Sequence, residues 1–197
     1  MDAHLPDISI GLYRRETPAG PLAIVHSYSR KPGTAERLAF VAHAMSVLGG
    51  LEPAEEGGAA VRFPCRGWHA AAARRLFLEA CKHDPAAALD PRPLERPDTR
   101  SEQLIRIEPL GAGAYAVHSE GATEETPSRA PAIASALAKL AELSPSDDPA
   151  VVSFPCTHDH DALVALLLQR ALNLRAALRD EELKAARGVL VAPSAQE

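Results

Sequence analysis

A seven-residue pattern occurs twice in this chain and constrains its fold more than any other sequence feature. Residues 63–69 and 154–160 both read Phe-Pro-Cys-x-x-x-His. Each copy follows a short apolar run and precedes a long stretch rich in Ala and Leu. Similarity at a fixed spacing is the signature of a repeated structural unit. The sequence therefore predicts a tandem duplication in which each copy carries a cysteine and a histidine at a strand-to-helix junction.

Comparison of the two halves extends the similarity over most of the chain. A spacing of 92 residues aligns the early parts without a gap, and Leu12 then falls on Leu104. One deletion reduces the spacing to 91, at which Cys65 falls on Cys156. Because the matching residues occur in the same order in both halves, the sequence predicts two repeats. It also predicts a proline-rich, semi-extended linker between them and a flexible tail after them. The predicted boundaries are 8–84 for the first repeat, 85–101 for the linker, 102–188 for the second repeat and 189–197 for the tail.

Each half predicts the element order β-β-α-β-α. In the first half, alternating apolar residues predict two paired strands, and an apolar stripe with helical spacing follows them. A third strand at 59–65 leads into a helix at 68–83. The second half repeats this order, and its last helix is predicted to begin near Thr157.

Units of this kind predict an α+β fold. A three-stranded sheet with two helices on one side leaves a face or an edge unprotected, so each repeat needs a partner. Two repeats related by a pseudo-two-fold axis can join their edges into a six-stranded mixed or antiparallel sheet, or stack their faces. We expect a single domain over residues 1–197, because a half of about 85 residues with few aromatic side chains is marginally stable alone.

Charge and composition argue against several classes of protein. A net charge of −5 and a pI near 5.9 argue against a nucleic-acid-binding surface, which is normally basic. The longest strongly apolar run, residues 162–168, is far shorter than the roughly 20 residues of a membrane-spanning helix. Three cysteines and an N-terminus without a secretory pattern predict a cytoplasmic protein with free thiols. The excess of Arg over Lys, with abundant Ala and Pro, indicates the coding bias of a GC-rich bacterium.

The cysteine and histidine of each copy are the main candidates for a functional site. Cys65 and Cys156 are predicted directly before helices, whose free N–H groups and dipoles lower the pKa of a thiol. His69 and His160 follow four residues later, in the first helical turn. Convergence of the two pairs would create a Cys2His2 set, which is the ligand set of a structural zinc site. The competing interpretation is a packing unit in which each cysteine is a small buried apolar residue.

A second hypothesis uses histidines on the strands. His26 and His118 occupy corresponding positions in the two predicted hairpins. Either could act as the base of a Cys-His dyad, with Cys65 or Cys156 as the nucleophile. The competing interpretation is a strand histidine that hydrogen-bonds to backbone or faces solvent.

The helix starts at 66–69 and 157–160 would line a composite site and contribute Trp68 and His158 to it. Trp68 has no counterpart in the second copy, where His158 or Asp159 stands. The predicted site is therefore pseudo-symmetric at best.

Two main classes of function fit these residues. The first is a non-catalytic binding protein whose composite site takes a metal ion, such as zinc, or a small anion through free backbone N–H groups at the helix starts. The second is a cysteine-dependent enzyme. A third interpretation is an interaction module whose sheet edge or helix face forms a homodimer. The sequence has no standard nucleotide-binding motif. The nearest candidate, Gly111-Ala112-Gly113, lacks the third glycine of a dinucleotide site.

Overall fold

The computed structural model describes residues 9–54, 58–98 and 101–173 of the 197. The elements of the first half are β1 Gly11–Arg15, β2 Leu22–His26, α1 Thr34–Gly49, β3 Glu52–Pro53, β4 Ala60–Arg62 and α2 Ala70–Ala80. Those of the second half are β5 Glu95–Asp98, β6 Gln103–Gly111, β7 Ala114–Glu120, α3 Ala130–Ala141, β8 Ser144–Pro145, β9 Val151–Ser153 and a helix, α4, over 161–173. The predicted end of the second repeat at 188 and the tail at 189–197 lie outside the described residues.

Two antiparallel sheets form the β part of the α+β fold. The four-stranded sheet has the order β1-β2-β4-β3, and the five-stranded sheet has the order β5-β6-β7-β9-β8. Every recorded strand pair is antiparallel and lies within one half of the chain. Within the described ranges, therefore, the two halves do not join their edges into the six-stranded sheet that is one of the two predicted arrangements. Each half also contains a two-residue strand, β3 or β8, that the sequence patterns did not predict.

The pairing of the inner strands repeats with the spacings found in the sequence. Ala23 of β2 pairs with Val61 of β4. The residues 92 and 91 positions later, Tyr115 and Val152, pair with each other in the second sheet. The pairing of β3 with β4 is repeated in the same way by β8 with β9. Apart from β5, which has no counterpart among the described residues of the first half, the halves thus share their element order and inner register, while their origin by duplication stays a prediction.

The first strands depart from the ungapped alignment. Leu12 pairs with Val25, but Val117, the counterpart of Val25, pairs with Ile107 and not with Leu104. The connection between the strands has six residues in the first hairpin and two in the second, and a bulge in β6 offsets one residue of that difference. Leu12 and Leu104 therefore do not occupy equivalent positions in the two hairpins, and this part of the predicted alignment is wrong. Loop length and a bulge set the hairpin register.

The proline-rich stretch at 85–101, predicted to be a semi-extended linker, contains the edge strand β5. Its backbone pairs with β6, and Leu94 packs against the apolar core. Asp98, at the end of the strand, is buried and forms an ion pair with Arg129. Proline has no N–H to donate to a sheet, so the prolines of this stretch favoured a linker over a strand. An edge strand tolerates such a residue, and Pro97 lies in β5 at the edge of the sheet.

Both halves contribute to one continuous apolar core. Met45 and Leu76 of the first half and Ile133 and Leu166 of the second belong to the same cluster of buried side chains. No helix within the described ranges is long and apolar enough to cross a membrane. The shared core brings the ends of β4 and β9, and the helices that follow them, into contact across the two halves.

Candidate metal centre

The two Phe-Pro-Cys corners, residues 63–69 and 154–160, meet at one point between the halves. The Sγ atom of Cys65 lies 3.1 Å from the Nε2 atom of His69, and that of Cys156 lies 3.1 Å from the Nε2 atom of His160. The Cys156 sulfur is also 3.5 Å from the Nε2 atom of His69. All four candidate ligand atoms lie within 4.8 Å of one another. The structure thus brings together the four residues that the repeated pattern singled out.

The spacing of these atoms suits a tetrahedral ion. Zinc bonds of about 2.3 Å to sulfur and about 2.0 Å to nitrogen place tetrahedral ligand atoms roughly 3.3–3.8 Å apart. The recorded sulfur–nitrogen contacts of 3.1–3.5 Å are close to that range. The widest pair, at most 4.8 Å apart, would need to approach by only about 1 Å. The four side chains can therefore bind a metal ion such as zinc.

The histidines are each the residue before a helix, not members of its first turn. The His69 carbonyl accepts the first hydrogen bond of α2 from the Ala73 N–H at 2.8 Å, and the His160 carbonyl accepts that of α4 from Val164 at 2.9 Å. The helices begin later than the predicted residues 68 and 157, because each corner is a loop between strand and helix. Anchoring at a helix start fixes the backbone of each histidine.

The four candidate ligands differ in burial. His69 and His160 are only 6% and 4% exposed, whereas Cys65 and Cys156 are partly exposed. An ion can therefore approach from the side of the thiols, while the imidazoles form the inner wall. All three cysteines of the chain, including Cys81, are free thiols.

The two phenylalanines of the repeated pattern hold both imidazoles in place. The ring of Phe63 lies 4.9 Å from that of His69 and 5.9 Å from that of His160. The ring of Phe154 lies 5.2 Å from His69 and 4.6 Å from His160. Each phenylalanine thus contacts the histidine of its own corner and that of the other corner. Three of these contacts are edge-to-face and the contact of Phe154 with His160 is tilted, and such packing restricts rotation of the imidazoles.

The first corner is supported by a backbone donor and by aromatic packing. The Gly67 N–H donates to the Cys65 sulfur at 3.3 Å. The ring of Trp68 packs edge-on against Phe63 at 6.4 Å, and the guanidinium of Arg14 lies 5.6 Å from the centre of the Trp68 ring. Trp68 therefore supports the first corner indirectly, by packing against Phe63.

The second corner is supported by the Tyr115 side chain of β7 and by the backbone of Gly113 in the turn before that strand. The buried hydroxyl of Tyr115 accepts a hydrogen bond from the His160 N–H and donates one to Asp161 at 3.0 Å. The Asp159 carboxylate accepts a hydrogen bond from the Gly113 N–H at 3.1 Å. No sequence pattern points to Tyr115 as part of the site. The sequence shows only that a tyrosine hydroxyl occupies a strand position whose counterpart in the first half is Ala23.

Gly113 allows the second hairpin to touch the corner. Its backbone has a φ of 75°, and a Cβ atom there would lie 2.4 Å from the carbonyl oxygen of Cys156. A side chain is excluded by this contact with backbone, so the position requires glycine.

Burial favours the neutral form of three candidate ligands, Cys65, His69 and His160, when no metal is bound. It raises the pKa of the Cys65 thiol, against a smaller lowering by the Gly67 N–H. It lowers the pKa of His69, and it lowers that of His160 to about 4 with help from the nearby charge of His69. The predicted low pKa of a thiolate at a helix start is therefore wrong for Cys65, which lies in the loop ahead of α2 and not at its N-terminus.

The other predicted residues lie apart from this cluster or at its margin. The ring of His26 packs against Tyr13 and Tyr28 at 5.1 and 5.4 Å, and His118 lies 3.0 Å from the Glu108 carboxylate. The contacts recorded for the described residues join neither histidine to a cysteine. The imidazole of His158 is exposed, and only its carbonyl oxygen approaches the Cys156 sulfur, at 3.8 Å.

Comparisons of this chain with protein-family models, with curated proteins and with solved structures find no match. The interpretation of the site therefore rests on its residues and their geometry.

Proposed function

We propose that this chain is a non-catalytic metal-binding protein that holds one zinc ion through Cys65, His69, Cys156 and His160. The supporting observation is the approach of all four ligand atoms to within 4.8 Å of one another. Two ligands come from each half of the chain, so the ion joins the halves where their corners meet. The similar placement of the corners suggests a pseudo-two-fold axis through the ion.

The donor set favours zinc over other common metals. Two thiolates and two imidazoles form the Cys2His2 set of structural zinc sites, for which a tetrahedral arrangement is usual. Calcium and magnesium prefer oxygen ligands, and no carboxylate belongs to this cluster among the described residues. Four protein ligands also fill a tetrahedral shell, and a catalytic zinc keeps one position open for water or substrate. A structural role follows from that count.

The cysteine-dependent enzyme is the second candidate, and one observation favours it. Cys65 and Cys156 are partly exposed, and each sulfur lies 3.1 Å from an imidazole nitrogen. The raised pKa of Cys65 opposes it, because a nucleophile needs the thiolate. His26 and His118, the bases predicted for this enzyme, contact other residues. An anion at the helix starts and a homodimer without a ligand are the remaining alternatives.

Metal analysis of protein purified without a metal-affinity column tests the proposal. We expect about one zinc ion per chain, with the content reduced in Cys65→Ser and in Cys156→Ser. Cys81→Ser is the matched control, because this cysteine lies outside the cluster and should leave the metal content unchanged. Protein without metal after zinc addition, together with rapid reaction of Cys65 or Cys156 with a thiol reagent at neutral pH, would support the enzyme instead.

Proton release provides a second measurement on the same protein. At neutral pH the imidazoles are already neutral and the Cys65 thiol is protonated, so a bound cation must displace the Cys65 proton. We expect release of at least about one proton per zinc ion in weakly buffered solution, and an affinity that rises with pH. Release of no protons would mean that zinc binds elsewhere.

A further inference from the structure

A groove lined with positive charge runs along the outer side of α2, between α3 and α4. It consists of two adjoining cavities of about 420 and 460 Å³ that share Arg75, Leu78 and Leu140. We call it the basic groove. The cations that line it are Arg74, Arg75, Lys82, Lys139 and Arg170.

The charge of the basic groove is opposite to that of the chain as a whole. Among the described residues, five cations and one carboxylate, Glu142, line it in a protein with a net charge of −5. Lys82 and Arg170 share the buried carboxylate of Glu79. No ion pair joins Arg74, Arg75 or Lys139 to an acidic group within the described part of the chain. Cations on both walls therefore create a positive potential that attracts an anionic partner.

The floor of the basic groove is apolar. Leu78 is 46% exposed, which makes it one of four large apolar residues with high exposure among those described. It lies on the outer face of α2 and shares the floor with the largely buried Leu140. An occupant that fits needs an apolar stripe for the floor and acidic groups on both sides of that stripe.

The dimensions of the basic groove fit a short helix. Its lining residues on α2 extend from Ala70 to Leu78, which is about 12 Å at 1.5 Å per residue and equals roughly two helical turns. An amphipathic helix of that length presents apolar side chains at i, i+3, i+4 and i+7, the arrangement used when a helix binds in a groove. From this length, the apolar floor and the charged walls, we propose that the basic groove binds an acidic amphipathic helix of a partner protein.

A nucleic acid fits the basic groove less well. None of the described residues that line it is aromatic, so single-stranded bases would have no stacking platform among them. The overall negative charge of the chain would also oppose a long polyphosphate, whose binding depends on many phosphate contacts.

This proposal goes beyond metal binding and rests on separate residues. The two features meet only at the start of α2, where Ala70 of the basic groove follows His69 of the metal centre. A failure of one proposal would therefore leave the other standing.

Fluorescence anisotropy with the full chain tests the proposal. The probe is a labelled synthetic 14-residue peptide with leucines at i, i+3, i+4 and i+7 and glutamates beside them, and the control peptide has lysine in place of each glutamate. We expect saturable binding of the acidic peptide that weakens as salt is added, and at least tenfold weaker binding of the lysine peptide.

Charge reversal locates the binding surface. Arg75→Glu and Lys139→Glu, one on each wall, should each weaken binding at least about tenfold. Arg30→Glu is the matched control on an exposed residue outside the basic groove and should change binding by less than about twofold. Circular dichroism and a thermal melt establish that each variant is folded.

Several results would overturn the proposal. They are the absence of saturable binding, equal binding of the lysine peptide, and equal weakening by Arg30→Glu. Displacement of the acidic peptide by single-stranded RNA at lower concentration would assign the basic groove to nucleic acid. Tighter binding by a peptide with the sequence of residues 174–197 would make the occupant a segment of this chain.

Discussion

The two corners at residues 63–69 and 154–160 present the same ligands but are held in different ways. In both, a cysteine sulfur lies 3.1 Å from the Nε2 atom of the histidine four residues later. The first corner uses the Gly67 N–H and the packing of Trp68. The second uses the hydroxyl of Tyr115 and the carboxylates that follow Cys156.

This difference separates what a site requires from what supports it. The ligand atoms must converge on one point, so their type and spacing recur in both halves. The supporting contacts need only fix the backbone and rings of those ligands, and a backbone donor or a buried tyrosine can do so. The contrast predicts that changes common to both corners act alike, whereas changes to the supports act on one corner.

Truncation of the phenylalanines should have the largest effect, and the same effect in both corners. Phe63 and Phe154 are 1% and 4% exposed, and each contacts both imidazoles. We expect Phe63→Ala and Phe154→Ala each to lower the free energy of unfolding by about 3–5 kcal/mol, the usual cost of such a cavity. Urea unfolding of metal-free protein measures it. A loss under about 1 kcal/mol in one variant would break the equivalence.

Replacement of a ligand should weaken metal binding equally in the two corners. Structural zinc binding is worth about 10–16 kcal/mol, so one of four ligands accounts for roughly 3 kcal/mol, or more than a hundredfold in affinity. We expect this loss in Cys65→Ser and in Cys156→Ser, measured by competition with a chromophoric chelator. An unchanged affinity in one of them would show that only one corner carries the ion.

Acid should destabilise the metal-free protein, mainly through the second corner. As pH falls below about 6.5, His160 takes up a proton in the unfolded chain, but in the folded chain only near its lowered pKa of about 4. The unfolded state then binds more protons, so stability is full above pH 6.5 and decreases between about pH 6.5 and 4. Melting temperatures of chelator-treated protein across this range measure the slope. His160→Gln should reduce it, and an unchanged slope would assign the acid sensitivity to other groups.

Loss of the Tyr115 hydroxyl should act on the second corner alone. Tyr115→Phe leaves the buried N–H of His160 without its acceptor, at a cost of about 1–2 kcal/mol in the free energy of unfolding. Metal affinity should fall about tenfold, as expected for a contact behind a ligand. Asp161→Asn, which keeps an oxygen acceptor for the tyrosine hydroxyl, is the control. Equal effects of the two variants would mean that the hydroxyl acts through the charge of Asp161 and not as the acceptor for the His160 N–H.

Gly67→Ala should have the smallest effect. A Cβ atom there would lie 3.3 Å from the Cys65 sulfur, a tight contact that a shift of a few tenths of an ångström relieves. The N–H that donates to the sulfur is retained. We expect metal affinity to change by less than about threefold. A much larger loss of metal affinity would show that the first corner excludes a side chain at Gly67, as the second corner excludes one at Gly113.

Much of the core fold could be predicted because it follows from local periodicity. The apolar stripe from residue 38 to residue 48 predicts α1, and Gly50 ends that helix in the left-handed conformation. The hairpin register and the strand β5 could not be predicted in this way. They depend on loop length, a bulge and pairing along a sheet edge, which are properties of the folded chain.

The sequence by itself determined the identity and spacing of the candidate ligands, since the pattern Phe-Pro-Cys-x-x-x-His occurs in each half. Only the tertiary structure decided that Cys65 and His69 meet Cys156 and His160, because no local rule relates residues 91 positions apart. Their convergence follows from a core that both halves build together and that brings the ends of β4 and β9 to one place. The same core places the Tyr115 hydroxyl against the backbone N–H of His160. No sequence pattern predicts this contact, because a hydroxyl on a strand acquires its partner only when the strand is packed.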